Sequence, residues 1–420
     1  MKPDYDVIII GAGVSGATAA ILLAQAGWSV ALFEKSVFPR RKVCGECIAA
    51  TNLELLDALG VGAACAELAG PPLHRVGLYA GDVELSADLP ALDDPGYSHG
   101  RALGREHLDT LLLRRAAAVG VTVFQPWAVR QVARRGGMHV CRAVPAATGQ
   151  LVTLQAPVMI AAYSSWEAGP RIADGRRQPR QPPRASELLA FKANFIDADL
   201  SPGLLPVLAF PGGYGGMVIA GRGKLTLACC IRRDRLRKCR AAAPGVPAGA
   251  AVQAWLEETC GGVRQALQGA RRDGAWLGAG PMRPGLHAAW HEQSGFAVGN
   301  AAGEAHPILG EGISMAIQSA WLLCERLVQH RERLFTQVDH SPVGRDYALH
   351  WRQHFAARVR WSAVFAHLAM RPSVAGGLLP VLRRWPNLLT AGALLGGKVR
   401  RVGVPVARSA LGVPTGDGRH

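Results

Sequence analysis

The spacing of apolar residues changes twice within the opening segment DYDVIIIGAGVSGATAAILLAQAGWSVALFEK. Val7 to Ile10 is an unbroken apolar run, the pattern of a strand covered on both faces in a parallel sheet. From about Ser15 to Ala26 small and apolar residues follow helical spacing, and Gly27 supplies a C-terminal stop. SVALFEK reads as a second strand ending on Glu34. The order is strand, tight glycine turn, helix, strand. Residues 36–50 read as a loop running into a helix, continued over 51–66 with Leu53, Leu56, Leu59 and Val61 apolar. Short strands follow from Leu73 to Leu89. Helical spacing returns in RALGREHLDTLLLRRAAAVG and stops at Gly120, and VTVFQPWAV reads as the next strand. Two more strands are expected at His139–Val144 and Gln150–Leu154, and PVMIAAY (157–163) is a second buried one.

Beyond it, AGPRIADGRRQPRQPPRAS (168–186) is rich in Pro, Gly and Arg and reads as an exposed loop or linker. The runs LLAFKANFI, LLPVLAF, GMVIAG and KLTLACCI are separated by turn glycines, which suits a mostly antiparallel sheet over 188–232. A helix is expected from about Ala250 to Leu267. SGFAVGNAAGEAHPILGEGISMAIQSAWLLCERL reads as strand, loop and helix, the helix starting near Gly312. From 336 onward amphipathic helices alternate with Pro and Gly breaks, and no internal repeat is present.

A chain of 420 residues has room for two or three domains with cores of their own. The apolar fraction of 49% and mean hydropathy of +0.12 are those of a globular, somewhat greasy protein. The net charge of +16 comes mainly from arginine, concentrated at 171–184, 232–240 and the C-terminal region. Such charge suits nucleic acid, an anionic membrane surface, or an arginine-biased codon usage. With no aromatic interleaving, helix-turn-helix or zinc pattern, nucleic acid is not the expected partner. Nine cysteines without regular spacing point to free thiols in a reducing compartment. Asp4 and Asp6 stand where a secretion signal carries basic residues, and no charge-free stretch reaches the roughly 18 residues of a spanning helix. A cytoplasmic protein is expected, not an integral membrane one.

Gly11, Gly13 and Gly16 occupy the positions of G-x-G-x-x-G between two strands. The first permits the turn, the second lets backbone approach a pyrophosphate, and the third lets helix pack closely on strand. The helix N-terminus offers free N–H groups and partial positive charge to a phosphate, and Glu34 lies where a carboxylate accepts both ribose hydroxyls of an adenosine. Dinucleotide binding is the expectation. A second candidate lies at the end of the strand Phe296 to Val298, where open α/β sheets place ligands. There Gly299-Asn300, Pro307, Gly310 and Gly312 bring backbone near a flat group, or are ordinary turn residues. A helix starting at Ile313 and aimed at a flavin's N1–C2=O edge stabilises the charge that edge carries when reduced.

Taken together, GAGVSG with Glu34, FPRRKVCGE, the R-x-x-L-D-x-x-L of Arg105, Leu108, Asp109 and Leu112, and GNAAGEAHPILGEGI resemble the para-hydroxybenzoate hydroxylase-like flavoproteins in order and rough spacing. Within them, K-V-C-G and FPGGYGGMV look like the geranylgeranyl reductase branch, although the tryptophan usual in that stretch is missing. The resemblance covers about residues 1–330. It implies an α/β fold: a discontinuous Rossmann-type FAD-binding domain from 1–72, 100–167 and 285–335, and an inserted, mostly antiparallel substrate domain from 73–99 and 185–284. A helical C-terminal region, 336–420, follows. It also implies that Gly11, Ala12, Gly13, Val14, Ser15 and Gly16 hold the pyrophosphate, and Glu34, with Lys35 beside it, the adenosine ribose. Arg41 and Arg105 lie near phosphates and ribitol, Cys44-Gly45 near the isoalloxazine, and Asn300 at the ribitol. Pro307, Gly310, Gly312 and Ile313 take the pyrimidine edge.

Two departures stand out. Asn300 replaces the family's Asp; an amide both accepts and donates, so FAD binding is expected to survive. AAYSSW (Ala161 to Trp166) replaces an Asp-Gly motif that supports FAD and pyridine nucleotide in the hydroxylases, which counts against direct use of NAD(P)H as electron donor. Cys44 and Cys47 form a C-x-x-C, but the second nucleotide domain of flavin disulfide reductases is lacking, and one pair is too little for zinc. Cys229-Cys230 reads as strand packing. His306 is a proton donor or a loop residue, and Tyr214 and Tyr163 face the substrate or the core. No W-x-W-x-I-P and no lysine placed like that of the halogenases is present, which counts against halogenation. No catalytic residue, Ser-His-Asp set or metal site is assigned. The C-terminal stretch RPSVAGGLLPVLRRWPNLLTAGALLGGKVRR pairs apolar segments with arginines, so its helices either lie in a bilayer interface or pack over the FAD domain.

The expectation is an FAD-dependent oxidoreductase reducing or dehydrogenating a carbon–carbon bond in a hydrophobic, prenyl- or alkyl-bearing metabolite. The alternatives are an FAD monooxygenase using NAD(P)H and oxygen, and a flavin-binding accessory protein without turnover.

Overall fold

The computed structural model describes residues 3–146, 149–167, 169–172 and 182–402. Its first sheet runs in the order Trp290–His291, Gly295–Ala297, Val158–Ala161, Val7–Ile10, Val30–Phe33, Thr122–Phe124, parallel except at the Trp290–His291 edge. The apolar run at its centre has a simple cause. Val7 and Ile9 pack with the helices Val14–Gln25, Arg105–Ala118 and Gly312–Gln329, while Ile8 and Ile10 join Phe33, Val132, Cys141 and Met159 on the opposite face. That second cover is a four-stranded sheet of Trp127–Arg135, Met138–Pro145, Val152–Ala156 and Arg171–Ile172. A strand buried on both sides needs no polar alternation.

The second large sheet takes the order Arg271–Arg272, Leu188–Ile196, Leu225–Arg232, Gly213–Ile219, Leu204–Phe210, Arg75–Ala80, Val83–Asp88. It is antiparallel except where Leu204–Phe210 meets Arg75–Ala80. The helices Arg233–Ala242, Ala248–Thr259 and Gly261–Leu267 cover one face around Leu227, Met217 and Phe210. The other face, carrying Ala190, Ala209, Tyr214 and Cys230, meets Ala366 and Ala369 of the long helix Ser341–Ala369. Shorter helices, Pro372–Arg384 and Asn387–Leu395, follow it. The architecture is an α/β fold with a mostly parallel sheet, an inserted, mostly antiparallel sheet and a helical C-terminal region.

Four elements depart from the apolar pattern. The helix expected over 250–267 is broken at Cys260, whose extended backbone bridges to Gly81, with Gly261 donating to the Gly81 carbonyl. Two weak helix formers, Gly261 and Gly262, make that break easy. Residues 51–66 divide into Leu53–Ala58 and Gly62–Leu68 at Gly60, which takes φ +78°. VTVFQPWAV splits between two sheets at Pro126, which has no N–H to give a ladder. Cys47–Ile48, expected as loop and helix, pairs with Arg101–Ala102. Of the Pro/Gly/Arg-rich stretch, Arg171–Ile172 forms a short strand, whereas Ala168 and 173–181 lie outside the described residues.

One carboxylate ties the two large units together. Glu46, at φ +61° and 1% exposed, accepts from the Arg105 N–H (3.0 Å), from Thr226 Oγ1 (2.6 Å) and from Lys192 Nζ. Asn194 Nδ2 donates in turn to Thr226 Oγ1 at 2.8 Å. Lys192 and Asn194 alternate with Phe191, Ala193 and Phe195, so the strand's polar face turns to Glu46 while its apolar face enters the core. Removing one partner of such a buried pair leaves an uncompensated charge. Lys192→Met is therefore expected to destabilise the fold by about 3–5 kcal/mol, read from urea unfolding. The Lys192→Met/Glu46→Gln double variant is expected to lose less than Lys192→Met alone; an unchanged midpoint for Lys192→Met contradicts the account.

Candidate active site

The opening glycines are required by close approach. Gly11 has φ +104°, and a Cβ there would stand 2.7 Å from the Ala162 carbonyl oxygen; one at Gly16 would stand 1.8 Å from the Gly11 oxygen. No side chain caps the helix that begins at Val14, so its first N–H groups are available to an anion. Glu34 braces the turn: one carboxylate oxygen accepts from the Ala12 N–H at 3.1 Å and the other from the Ser36 N–H at 2.8 Å. The chain's second half arrives at the same place. A Cβ on Gly299 would lie 2.7 Å from Ser15 Oγ, so the turn carrying Asn300 abuts the opening helix. The Asn300 carbonyl meets His287 Nδ1 at 3.0 Å.

A cleft of about 410 Å³ runs past Gly11, Gly13, Glu34, Arg40, Lys42 and Tyr163. Arg105 explains the R-x-x-L-D spacing: its Nε and Nη2 donate to the Asp109 carboxylate one helical turn on, at 2.7 and 2.9 Å, beside Gly13. Arg41 lines the cleft, but its guanidinium is committed to Asp273 (2.8 Å) and Glu106 (3.5 Å). Its neighbour Arg40 faces Glu34 and Asp109 at 3.8 and 3.7 Å, and its buried Nε has no hydrogen-bond partner. Lys42 donates to Ser164 Oγ at 2.8 Å; burial, then Arg105 and Arg40, push its pKa down to about 8. Lys35 points to Glu167 at 2.7 Å and is half exposed. Glycine N–H groups, an orphaned guanidinium nitrogen and two further cations fit the pyrophosphate of FAD.

At the far end, Cys44, Gly45, Cys47, Pro307 and Gly310 form one wall of a second, apolar cavity of about 330 Å³. Gly310 is left-handed at φ +63°, and a Cβ there would sit 3.5 Å from that of Cys47. Gly312 and Ile313 begin the helix beyond. The cavity's remaining walls are strand residues such as Leu78, Val207 and Met217, and C-terminal helix residues such as Leu368, Leu382 and Leu389. All nine cysteines are free thiols, and burial pushes Cys47 up to about 12. Cys229 and Cys230 are buried on opposite faces of one strand.

Tyr214 lines this cavity with no exposure to solvent, and its hydroxyl lies 2.9 Å from His306 Nδ1. Burial, then His367, push His306 down to about 4, so the ring is neutral. Tyr163 lies on the cofactor cleft. The sequence reading left out Arg40, Lys42, Glu46, Lys192, Glu311 and Lys398. Lys192 had a signal: a lysine and an asparagine two apart on an otherwise apolar strand.

The geometry brings the glycine turn, Glu34 and the turn carrying Asn300 together at one end of an α/β sheet, with an apolar chamber beyond. Residues 4–164 match the family described as FAD binding domain. Over 115 residues the chain is 33% identical to the menaquinone reductase of Mycobacterium tuberculosis, which covers 27% of each protein. The chain thus spans about a quarter of that relative's length. Two solved structures share the fold nearly end to end at 18% identity. The myxobacterial chondrochloren halogenase CndH has a TM-score of 0.74 over 99% of this chain and 98% of that one. Pseudomonas aeruginosa PqsL, a probable FAD-dependent monooxygenase, has 0.67 over 90% and 99%.

The neutral histidines make stability depend on pH. The unfolded chain protonates His306 below about pH 6.5, whereas the folded chain resists until about 4. The unfolded state therefore binds more protons in that window, so stability is full above pH 6.5 and falls as the pH drops. His139, pushed to about 3 mainly by burial, acts in the same direction. His306 alone is expected to remove roughly 2 kcal/mol by pH 5. Urea midpoints between pH 8 and 5 check this, and His306→Gln should flatten the slope.

Proposed function

We propose that the chain is an FAD-dependent oxidoreductase that reduces or dehydrogenates a carbon–carbon bond in a prenyl- or alkyl-bearing metabolite. The observation that carries this reading is the apolar cavity whose wall is Cys44, Gly45, Cys47, Pro307 and Gly310, the segment at which the resemblance puts the isoalloxazine. FAD, when bound, supplies hydride transfer or oxygen activation. The protein's own residues do the rest. The glycine loop, Arg40, Lys42 and Arg105 hold phosphates, and Glu34 the adenosine ribose. Leu78, Leu205, Val207 and Leu389 exclude water and seat an apolar chain. Tyr214, hydrogen-bonded to neutral His306, holds a proton at the chamber wall. Similarity to the menaquinone reductase favours reduction; the fold shared with PqsL motivates the second reading, a monooxygenase using NAD(P)H and oxygen.

The purified protein should be yellow and hold one FAD, and Gly16→Ala should lose it. Reduced protein mixed anaerobically with polyprenyl lipids should reoxidise and yield a product with two more hydrogens. Reoxidation that waits for oxygen and leaves an oxygen atom in the product instead establishes the monooxygenase. Bleaching by NADPH alone tests the donor.

The C-terminal helices also favour a peripheral membrane partner in this reading. Leu378, Val381, Trp385, Leu388, Leu394 and Leu395 are between 39% and 57% exposed, and Arg384 lies over Trp385. The same helices roof the cavity through Leu382, Leu389 and Ala393. No helix among the described residues is long and apolar enough to cross a membrane. Exposed apolar side chains beside arginines fit an anionic bilayer surface. Phosphatidylglycerol vesicles should sediment the protein and neutral phosphatidylcholine vesicles should not, and Trp385→Ser/Leu388→Ser should weaken binding; equal recovery with both lipids rejects the idea.

A further inference from the structure

The chain just beyond the last helix brings a further charge to the cavity wall. Val402 is buried, 3% exposed, in the same core as the helix Gly312–Gln329. The Arg400 carbonyl accepts from Gln318 Nε2 at 3.1 Å and from Arg358 Nη2 at 3.4 Å. A Cβ on Gly397 would stand 2.6 Å from Arg358 Nε, so the segment is seated tightly. Held in this way, Lys398 places Nζ 2.9 Å from Glu311 Oε1 and 3.5 Å from the Cβ position of Gly310. It also lines the apolar cavity at the wall shared with Cys44 and Cys47.

Glu311 is 1% exposed and has Arg358 on its other side, Nη1 to Oε2 at 3.9 Å. Arg358, itself 1% exposed, is fixed by donating to Gln318 Oε1 at 2.8 Å. Two cations and one carboxylate leave an excess positive charge in a site where the Lys398 side chain is only 14% exposed. Cys47, which also acts on Lys398, stays a neutral thiol, and Arg400 adds a further cation that acts on Arg358. Burying an unbalanced cation is unfavourable unless an anion faces it. No carboxylate other than Glu311 pairs with Lys398 or Arg358 among the described residues.

We propose that Lys398, clamped by Glu311, is a cation facing the FAD ring at Gly310, where it favours the ring's reduced, negatively charged form. The two-electron, one-proton reduction of the ring leaves one negative charge on it, and a fixed cation in a water-poor site stabilises that charge selectively. The inference rests on the FAD reading above. It adds that residues beyond the matched domain set the cofactor's potential.

The test is the midpoint potential of FAD on the holoprotein, together with the dissociation constants of oxidised and reduced FAD. Lys398→Met should lower the potential and weaken reduced FAD relative to oxidised FAD by about tenfold or more. Glu311→Gln, which removes the opposing charge, should raise the potential, and Lys398→Arg should leave it near that of the wild type. A general disturbance of the site does not move two neighbouring substitutions in opposite directions. An unchanged potential in Lys398→Met, or a fall in both Lys398→Met and Glu311→Gln, overturns the inference while the FAD reading stands. A wild-type chain that takes up no FAD overturns both.

Discussion

A carboxylate with almost no solvent contact holds the two large sheets in register over the site. Glu46 belongs to the loop after the second strand, yet three of its partners lie far along the chain: Arg105, Lys192 and Thr226. Buried charge of this sort adds little net stability over an apolar contact, but it is unforgiving of displacement. A slide of one sheet over the other strands a carboxylate, an ammonium and a hydroxyl together. Cys44 and Gly45 lie immediately before Glu46, and Cys47 immediately after. The wall shared by cleft and cavity therefore inherits its position from this contact.

The parts of the fold legible in the sequence were those governed by neighbours in the chain. Val7–Ile10 announced its double burial because every position must be apolar, and the glycine triplet could be read because its spacing is a local steric demand. Breaks at Gly60 and Cys260 were hidden. An apolar helical pattern continues across both, and only the pairing of Cys260 with Gly81 fixes the second. The same division holds in the site. Arg40 and Arg41 are chemically identical neighbours that both line the cleft; Asp273, from the other sheet's edge, holds the Arg41 guanidinium at 2.8 Å, whereas Arg40 has only looser contacts with Glu34 and Asp109 at 3.8 and 3.7 Å. No local pattern distinguishes them. Lys398 was still less visible, since GGKVRR reads as solvated basic surface until Glu311 is brought beside it.

The electrostatic layout of the cleft is graded along its length. Around the glycine loop Arg40, Lys42 and Arg105 gather beside Glu34 and Asp109, a concentration of cations that suits the pyrophosphate of the proposed cofactor. Past Cys44 the lining becomes almost wholly apolar, and the polar groups that persist are neutral or paired: Tyr214 with His306, and Lys398 with Glu311. Low dielectric around few fixed charges makes each of them count for more. That gradient suits the FAD of the proposed function, whose pyrophosphate is charged and whose oxidised ring is not. In the proposed function, the second molecule that meets the ring there is greasy.

In that reading the C-terminal helices, which line the cavity, take a part in the site as well as in the fold. Remove Leu368, Leu382 and Leu389 from the roof and the chamber opens to water, which weakens every electrostatic contact inside it. The chain that follows the roof then turns inward to Lys398, so closing the chamber and charging its wall are acts of one continuous segment. Loosening Asn387–Leu395 would move both at once. In the proposed function, a roof that is also partly apolar outside would let a substrate pass from a greasy phase into the chamber without first being fully hydrated. For the alkyl or prenyl chain of that proposal, the hydration avoided would be worth about 0.8 kcal/mol for every methylene kept out of water, which would place the roof's two faces under a common physical demand.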